Sequence, residues 1–233
     1  MIDGKKVLAV ITARGGSKGL PRKNILEVGG RPMLAWSVDA AEKSSLLDRT
    51  ILSSDDDEII RVGREWGCDV PFKRPLELAH DETSTEHALI HALDHLEETY
   101  DYIVLLQPTS PLREAQDIDN CITTCRRRGV PACVSVCKTE KSPYWMFQID
   151  GQGRMSPFLK KDGPWHQRQN LPAAYAANGA VYVAEVPWYR KNQTFYAPDT
   201  AAYVMPPERS IDVDTELDLL LVETIMQARR KPF

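Results

Sequence analysis

A glycine-rich and strongly basic segment at residues 14–24 directly follows the short apolar run 7–11. It contains three glycines and four cationic side chains, namely Gly15, Gly16, Gly19, Arg14, Lys18, Arg22 and Lys23. Glycines let backbone N–H groups approach a ligand closely, and cations beside those groups favour a chain of phosphates. The segment therefore predicts a phosphate-binding loop, and the alternative is an ordinary solvated loop with surface cations.

Two common phosphate-binding motifs do not match this loop. The dinucleotide fingerprint, aligned on residues 14–19, has Arg14 where its first glycine should stand. A Walker A motif needs Gly-Lys followed by Ser or Thr, and the chain contains no such tripeptide. The density of positive charge favours a triphosphate over a dinucleotide.

A pair of carboxylates near the end of the sequence is the second candidate site. Residues 211–214 alternate apolar and acidic, which predicts a strand with Asp212 and Asp214 on one face. Mg²⁺ is usually held by one or two carboxylates together with substrate phosphates, so the pair predicts a magnesium site beside the loop. The alternative is that Asp214 caps the helix beginning at Thr215 and Asp212 is merely solvated.

The elements that position these residues follow from hydrophobic periodicity. The apolar runs 7–11 and 102–106 predict buried strands, with further strands at 49–53, 69–72, 132–136, 178–183 and 203–205. Helical patterns cover 32–41, 84–97, 115–126 and 215–227, and Leu217, Leu220, Leu221 and Ile225 are predicted to face inward in the last one. This alternation predicts an α/β fold with a mostly parallel sheet, in which 14–24 and 107–113 lie at the C-terminal strand ends.

Composition restricts the class of protein. A net charge of -4 over 233 residues disfavours general nucleic-acid binding. No apolar run approaches ~20 residues and no signal peptide is recognisable, so we expect no membrane association and a cytoplasmic location. The five cysteines are expected to be reduced and buried. Residues 143–172 carry aromatics with little periodicity, which predicts either a protruding β insertion or a flexible surface loop.

Four segments, in this order along the chain, resemble signatures of the acylneuraminate cytidylyltransferases, also called CMP-sialic acid synthetases. They are residues 14–24, 106–113, 178–182 and 210–215, and the shorter segments 73–75 and 83–85 also match. The resemblance spans essentially the whole chain. It implies a Rossmann-like, mixed but mostly parallel sheet flanked by helices. It also implies a nucleotidyltransferase domain made of 1–140 and 173–233, with a β-rich dimerisation arm at 141–172.

The resemblance also implies a role for each matching residue. Catalytic roles fall on Arg14, Lys23, Asp212 and Asp214, the last two as ligands of Mg²⁺. Nucleotide binding falls on Arg14, Gly15, Ser17, Lys18, Lys23, Asn24, Arg74, Thr83 and Thr85. Sugar binding falls on Gln107, Pro108, Thr109 and Asn178, and on Arg168 and Gln169 of the arm, which would reach the neighbouring subunit of a homodimer.

The implied reaction is transfer of CMP from CTP to the anomeric 2-hydroxyl of a nine-carbon 2-keto sugar acid, with release of pyrophosphate. Around Pro143 the sequence departs from the basic residue that some of these enzymes carry, which leaves N-acetylneuraminic, legionaminic and pseudaminic acids all open. No side chain stands out as a general base. Two other classes remain, a nicotinamide-dependent oxidoreductase, disfavoured by Arg14, and a nucleotide-binding protein without catalysis.

Overall fold

The structure is a computed structural model that describes residues 2–16, 19–80, 85–159 and 171–230. Its strands are β1 (Val7–Thr12), β2 (Glu27–Val28), β3 (Arg31–Pro32), β4 (Arg49–Ser53), β5 (Tyr102–Leu106), β6 (Ala132–Lys138), β7 (Phe147–Ile149), β8 (Met155–Pro157), β9 (Tyr175–Glu185) and β10 (Ala201–Met205). Its helices are α1 (Met33–Glu42), α2 (Asp57–Glu65), α3 (Thr85–His95), α4 (Ala115–Arg128), α5 (Val186–Asn192) and α6 (Glu216–Arg230).

The centre of the fold is a six-stranded sheet in the order β10-β6-β9-β5-β1-β4. β1 pairs in parallel with both β4 and β5, and β6 pairs in parallel with β10. β9 is antiparallel to its neighbours β5 and β6. The predicted mixed, mostly parallel sheet is therefore confirmed.

Helices cover both faces of this sheet, as the apolar character of its strands requires. α1, α2 and α4 pack on one face through side chains such as Leu34, Ile59 and Ile118. α3 and α5 pack on the other face, where Leu89 and Tyr189 are buried. α6 closes a third, smaller apolar cluster.

The sheet direction determines which segments meet at the edge where a ligand can bind. The C-terminal ends of β1, β4 and β5 lie at one edge because these strands are parallel. β9 runs the other way, so its N-terminal half, which contains Asn178 and Gly179, reaches the same edge. The predicted position of the 14–24 and 107–113 loops at one edge is therefore confirmed.

Two predicted strands are wrong. Asp69 makes only an isolated bridge to Ile51, and no strand forms over 69–72. Residues 211–214 form no strand and belong to no sheet ladder; Val213 N instead donates to Thr109 O in a loop at 2.8 Å. A segment paired by single contacts cannot be distinguished from a strand by its side-chain alternation.

The predicted inner face of α6 is also largely wrong. Leu217 and Leu220 are 72% and 60% exposed, and Leu221 is exposed as well. The buried side chains are Val222 and Met226, which pack with Leu20, Val28, Met33, Leu112 and Val213. Of the four predicted residues, Ile225 alone packs against this cluster.

Part of the predicted arm forms an exposed hairpin. β7 and β8 pair antiparallel, and a tight turn closed by Gly153 N donating to Asp150 O at 2.9 Å connects them. Phe147, Ile149 and Met155 are 43%, 69% and 63% exposed. The division into 1–140, 141–172 and 173–233 remains a prediction. Within the described residues no helix is long and apolar enough to cross a membrane.

Candidate active site

A cavity of about 440 Å³ opens at the sheet edge where β1 and β5 end. It brings together many of the predicted site residues, namely Arg14, Lys23, Asn24, Arg74, Thr85, Gln107, Pro108, Thr109, Asp212 and Asp214. Gly15 and Asn178 do not line it. The predicted site residues Ser17, Lys18, Thr83, Arg168 and Gln169 lie outside the described residues.

The basic loop is anchored by two neighbouring carboxylates at the end of β4. Gly15 N donates to Asp55 Oδ1 at 3.3 Å. A Cβ on Gly15 would lie 2.7 Å from Asp56 Oδ2, so any larger side chain would displace the loop or the carboxylate. Glycine is therefore required here for close approach to β4.

One of the four loop cations is an anchor for the loop. Arg22 has a left-handed backbone with φ of 57° and donates to Asp56 Oδ2 at 2.6 Å, with a second ion pair to Glu58. Asp56 also caps α2 by accepting from Glu58 N and Ile59 N. The Arg22 hydrogen bond is the main reason that the pKa of Asp56 lies below its ordinary value. Arg22 thus fastens the loop to the start of α2 and does not line the cavity.

Lys23 and Asn24 connect the loop to the rest of the site. Lys23 Nζ lies 2.7 Å from Asp214 Oδ1, which joins the N-terminal loop to the C-terminal carboxylates. Asn24 Nδ2 donates to Arg14 O at 2.9 Å and holds the loop in its bend. A Cβ on Gly19 would lie 2.6 Å from Asp214 O, so the two segments are in contact at the backbone as well.

Arg74 is a buried cation in the cavity wall. Only 4% of it is exposed, its Nη2 donates to Asp55 Oδ1 at 3.1 Å, and its Nε has no hydrogen-bond partner among the described residues. Burial lowers the pKa of its guanidinium, and the nearby Arg14 acts in the same direction. Asp55 thus joins the loop to Arg74. An anion in the cavity would relieve the remaining positive charge.

Asp212 is the corresponding buried anion. Its Oδ1 is inaccessible and has no hydrogen-bond partner within the described part of the chain. Burial raises the pKa of its carboxyl, the charge of Asp214 raises it further, and a side-chain hydrogen bond from Thr109 opposes these effects. Asp214 is more exposed and is paired with Lys23. A buried carboxylate in a cavity wall, next to a second carboxylate, fits a cation ligand.

The first turn of α6 excludes the alternative role for Asp214. Asp218 Oδ2 accepts from Thr215 N at 2.8 Å, and Asp218 N donates to Thr215 Oγ1 at 3.3 Å. This reciprocal pair is a capping box centred on Thr215. The Asp214 side chain is consequently not the helix cap.

The carboxylates alone do not make a complete metal cage. Among the described residues no group of three or more His, Cys, Asp and Glu side chains is arranged to hold a metal ion. This is compatible with Mg²⁺, which commonly keeps waters and takes its remaining ligands from substrate phosphates. Asp212 and Asp214 therefore fit a metal that enters with a phosphorylated ligand.

Gly179 controls the space between Asp212 and Gln107. Its φ is +76°, and a Cβ there would lie 2.5 Å from Gln107 Oε1 and 3.3 Å from Asp212 Oδ2. The absence of a side chain lets the amide and the carboxylate approach the same point. Gln107, Pro108 and Thr109 form the adjoining cavity wall.

Asn178 lies below this wall. It is 6% exposed, and its amide is engaged with Ser135, Ala180 and Ser210. Its predicted contact with a sugar remains a prediction.

The sequence interpretation missed two residues of this region. His80 lines the cavity, and nothing in the sequence indicated this position. Asp55 was not identified as a site residue. The feature that could have drawn attention to it is the run of three aspartates that begins two residues after β4. Its role depends on Gly15 and Arg74, which are 40 and 19 residues away in sequence.

The arrangement places cations and carboxylates on the walls of one cavity. Arg14, Lys23 and Arg74 provide positive charge, and Asp212 and Asp214 provide oxygen ligands for a divalent cation. Such a combination suits a nucleotide polyphosphate with its metal. Beside it, the wall around Gln107 offers polar groups for a second substrate.

Known proteins support this interpretation. The family model described as cytidylyltransferase matches residues 8–199. A CMP-N,N'-diacetyllegionaminic acid synthase of Legionella pneumophila is 33% identical over 231 residues, which cover 97% of this chain and 98% of the relative. An N-acylneuraminate cytidylyltransferase of Escherichia coli is 32% identical over 227 residues, or 97% of this chain and 53% of the relative. The chain thus spans about half the length of that second relative.

A solved structure gives the same fold. The CMP:2-keto-3-deoxy-manno-octonic acid synthetase complexed with CTP has a TM-score of 0.71 and 17% identity, covering 96% of this chain and 99% of its own. At this identity the likeness concerns the fold alone. The family match and the two relatives extend over nearly the whole chain, and they agree with the cavity chemistry. The chain belongs to the cytidylyltransferase family.

Proposed function

We propose that the protein transfers CMP from CTP to the anomeric 2-hydroxyl of a nonulosonic acid, with release of pyrophosphate. The observation that carries this proposal is the single cavity in which Arg14, Lys23 and Arg74 lie with Asp212 and Asp214. The names of the relatives support the class of reaction, since both printed names describe activation of a nine-carbon sugar acid.

The cations would bind the triphosphate and offset the negative charge that develops as pyrophosphate leaves. Lys23 would exchange its ion pair with Asp214 for a phosphate oxygen, which leaves that carboxylate available to a cation. Arg74 would donate through its Nε, which has no hydrogen-bond partner among the described residues, while Asp55 keeps the guanidinium oriented. Thr85, at the start of α3, would contact the nucleoside, together with Thr83 of the preceding segment.

The two carboxylates would hold Mg²⁺. The bound ion would supply charge neutralisation at the phosphates and a lower pKa for the sugar hydroxyl. The fit is supported by the position of both aspartates in the cavity wall and by Asp212 Oδ1, which has no hydrogen-bond partner in the described part of the chain.

The second substrate would lie against Gln107, Pro108 and Thr109. We infer a homodimer in which residues 141–172 form the contact and Arg168 and Gln169 reach the partner's sugar site. This inference is supported by the exposed apolar side chains of the β7–β8 hairpin, which suit an interface. A cytoplasmic enzyme that supplies activated sugar for surface polysaccharides would be consistent with this chemistry.

The experiment measures pyrophosphate release from CTP in the presence of Mg²⁺. The acceptor is varied among N-acetylneuraminic, legionaminic and pseudaminic acids and the eight-carbon 2-keto-3-deoxy-manno-octonic acid (Kdo). We expect release with one nine-carbon acid and little with ATP or UTP. Lys23→Ala should lower kcat/KM strongly. Lys43→Ala should not, because Lys43 pairs with Asp39 on the exposed side of α1.

Two results would contradict the proposal in different ways. Tight CTP binding without pyrophosphate release for any acid would favour a nucleotide-binding protein without catalysis. Failure to bind CTP at all would refute the interpretation of residues 14–24 as a phosphate-binding loop.

A further inference from the structure

We propose that Arg113 is a positioning residue, which holds the loop after β5 against β9 and thereby fixes the Gln107 side chain in the cavity wall. This inference rests on the proposed function, since the second substrate would lie against Gln107. Arg113 is the last residue of the 106–113 signature, and the resemblance assigned no role to it. Its part in the reaction would be indirect, because it does not line the cavity.

Arg113 is a buried cation. Only 4% of it is exposed, and its Nε and Nη2 have no hydrogen-bond partner among the described residues. Burial lowers the pKa of its guanidinium to about 10, and the charge of Asp117 opposes this shift. That carboxylate is itself paired with Arg209, whose Nη2 lies 2.9 Å from Asp117 Oδ1. A buried charge with so little compensation costs stability, and such departures are expected at functional sites.

One nitrogen atom of Arg113 joins the loop to β9. Its Nη1 donates to Gln107 O at 3.1 Å and to Ala180 O at 2.9 Å. The pairing of β5 with β9 ends at Leu105 and Tyr182. Two residues further along each strand, the same register would place Gln107 opposite Ala180. The guanidinium therefore takes the place of the next ladder bonds and sets the distance between the two backbones where the strands separate.

The Gln107 side chain lies over this same part of β9. A Cβ on Gly179, the neighbour of Ala180, would lie 2.5 Å from Gln107 Oε1. The Gln107 amide can therefore keep its position only while the loop and β9 keep their present separation. Gln107 lines the cavity, where a shift of about 1 Å in a group that orients substrate can cost on the order of 100-fold in rate.

Two further groups hold the same carbonyl. Ser37 Oγ, on α1 and fully buried, donates to Gln107 O at 3.3 Å, and Ser110 N donates to it at 3.4 Å. A second turn follows, in which Arg113 N donates to Ser110 O at 3.3 Å. Of the three bonds to Gln107 O, that of Arg113 is the shortest, and its nitrogen also bonds β9. Arg113 is therefore the group whose loss should disturb Gln107 most.

The test compares Arg113→Met with Ser37→Ala. Methionine fills a similar volume without the donors, and replacement of a buried charged group by an apolar one is often neutral for stability. Ser37→Ala removes a longer bond to the same carbonyl and decides the question if Arg113→Met does not fold. Arg190→Met is the control, because Arg190 pairs with Asp94 on the surface and neither residue lines the cavity. Circular dichroism and melting temperature would establish which variants are folded.

The first readout is hydrogen exchange, which needs no substrate. Exchange of the peptide that covers residues 106–113, followed by mass spectrometry, should be faster in Arg113→Met than in the wild type, because the loop loses its bond to β9. Exchange over residues 57–65 of α2 should not change. This comparison separates a local release of the loop from a general loss of stability.

The second readout is the pair of KM values for the sugar acid and for CTP. We expect Arg113→Met to raise the KM for the sugar acid roughly tenfold and Ser37→Ala to raise it roughly twofold, with the KM for CTP unchanged. In a Gln107→Ala background, addition of Arg113→Met should change the sugar KM little. Substitutions that act through one shared residue are not additive.

Unchanged hydrogen exchange over 106–113 in folded Arg113→Met would overturn the proposal. Equal increases of the sugar KM with and without Gln107 would do so too, as would an equal increase of both KM values. If Arg113→Met does not fold, an unchanged sugar KM in Ser37→Ala overturns it. The proposed function fails separately, when the wild type releases no pyrophosphate, and hydrogen exchange then still tests the restraint on the loop.

Discussion

Replacement of Asp212 by Asn should stabilise the protein in the absence of ligands and abolish its activity. The wild-type carboxylate is buried, one of its oxygens has no hydrogen-bond partner among the described residues, and the charge of Asp214 lies nearby. Asn keeps the shape and the acceptor that bonds Thr109, but it removes the charge. The buried site would therefore lose an electrostatic cost, and under the proposed function it would also lose a ligand of Mg²⁺.

The magnitude follows from the cost of an unsatisfied buried group. Leaving a buried acceptor unpaired costs about 1–3 kcal/mol, and more when it is charged. The amide of Asn would occupy the same place and also lack a full set of partners. We therefore expect the free energy of unfolding to rise by only the lower end of this range, about 1 kcal/mol. For a chain of 233 residues this corresponds to a rise in Tm of roughly 2–4 °C.

The effect should depend on pH in a defined direction. The folded-state pKa of Asp212 is raised, so folding disfavours the ionised form and the cost exists above that pKa. It disappears when the pH falls below the unfolded value of about 3.9, where the carboxyl is protonated in both states. The difference in Tm between variant and wild type should therefore shrink as the pH is lowered from 7 toward 4.

The assay is calorimetric or fluorescence-detected melting at pH 7 with EDTA, repeated with Mg²⁺ and CTP. The wild type should gain stability from the ligands by mass action, and Asp212→Asn should gain much less. Asp57→Asn is the control for loss of a carboxylate, because Asp57 is highly exposed and pairs with Lys73. A lower Tm for Asp212→Asn than for the wild type at pH 7 with EDTA would refute the reasoning.

Three further predictions concern the scaffold of the site. Asp55→Ala should raise the KM for CTP roughly tenfold by releasing Gly15 and Arg74; an equal change in KM for Asp57→Ala would contradict this. His91 has a pKa lowered by burial, so wild-type Tm should fall as the pH drops through about 6.5, and an equally steep fall in His91→Gln would contradict it. Met226→Ala should cost about 2–5 kcal/mol in urea unfolding and Leu220→Ala less than about 0.5, whereas similar losses would refute the observed face of α6.

The central strands were predictable because they are uninterrupted apolar runs. β5 spans the predicted residues 102–106, and β1 extends the predicted run 7–11 by one residue. The direction of β9 was not predictable, since an apolar run carries no information about its pairing partner. The inward face of α6 failed for a related reason. Leu217, Leu220 and Leu221 have helical spacing, but so do Val222 and Met226, and only packing against remote segments decides between the two sets.

Part of the cavity lining was predictable from the residues themselves, namely the basic loop after β1, the loop after β5 and the Asp212/Asp214 pair, whereas Arg74 and Thr85 were indicated by the family resemblance. The sequence did not show which of these residues would line the cavity and which would anchor the loop. Arg22 looks like another phosphate-binding cation in the sequence, and its role as an anchor appears only from its ion pairs with Asp56 and Glu58. Asp55, by contrast, has a structural role that the sequence did not indicate, because its partners Gly15 and Arg74 lie far from it along the chain.

Two unsatisfied buried groups explain why one kind of ligand suits this cavity. Arg74 Nε lacks an acceptor and Asp212 Oδ1 lacks a donor or cation, within the described residues. They do not neutralise each other, because Arg74 is paired with Asp55, and Asp212 is bonded by Thr109. An anion alone would satisfy only the first group and a metal alone only the second. Under the proposed function, a polyphosphate that carries its own divalent cation would offset both buried charges, so the cost of burying Arg74 and Asp212 would contribute to selectivity for such a ligand.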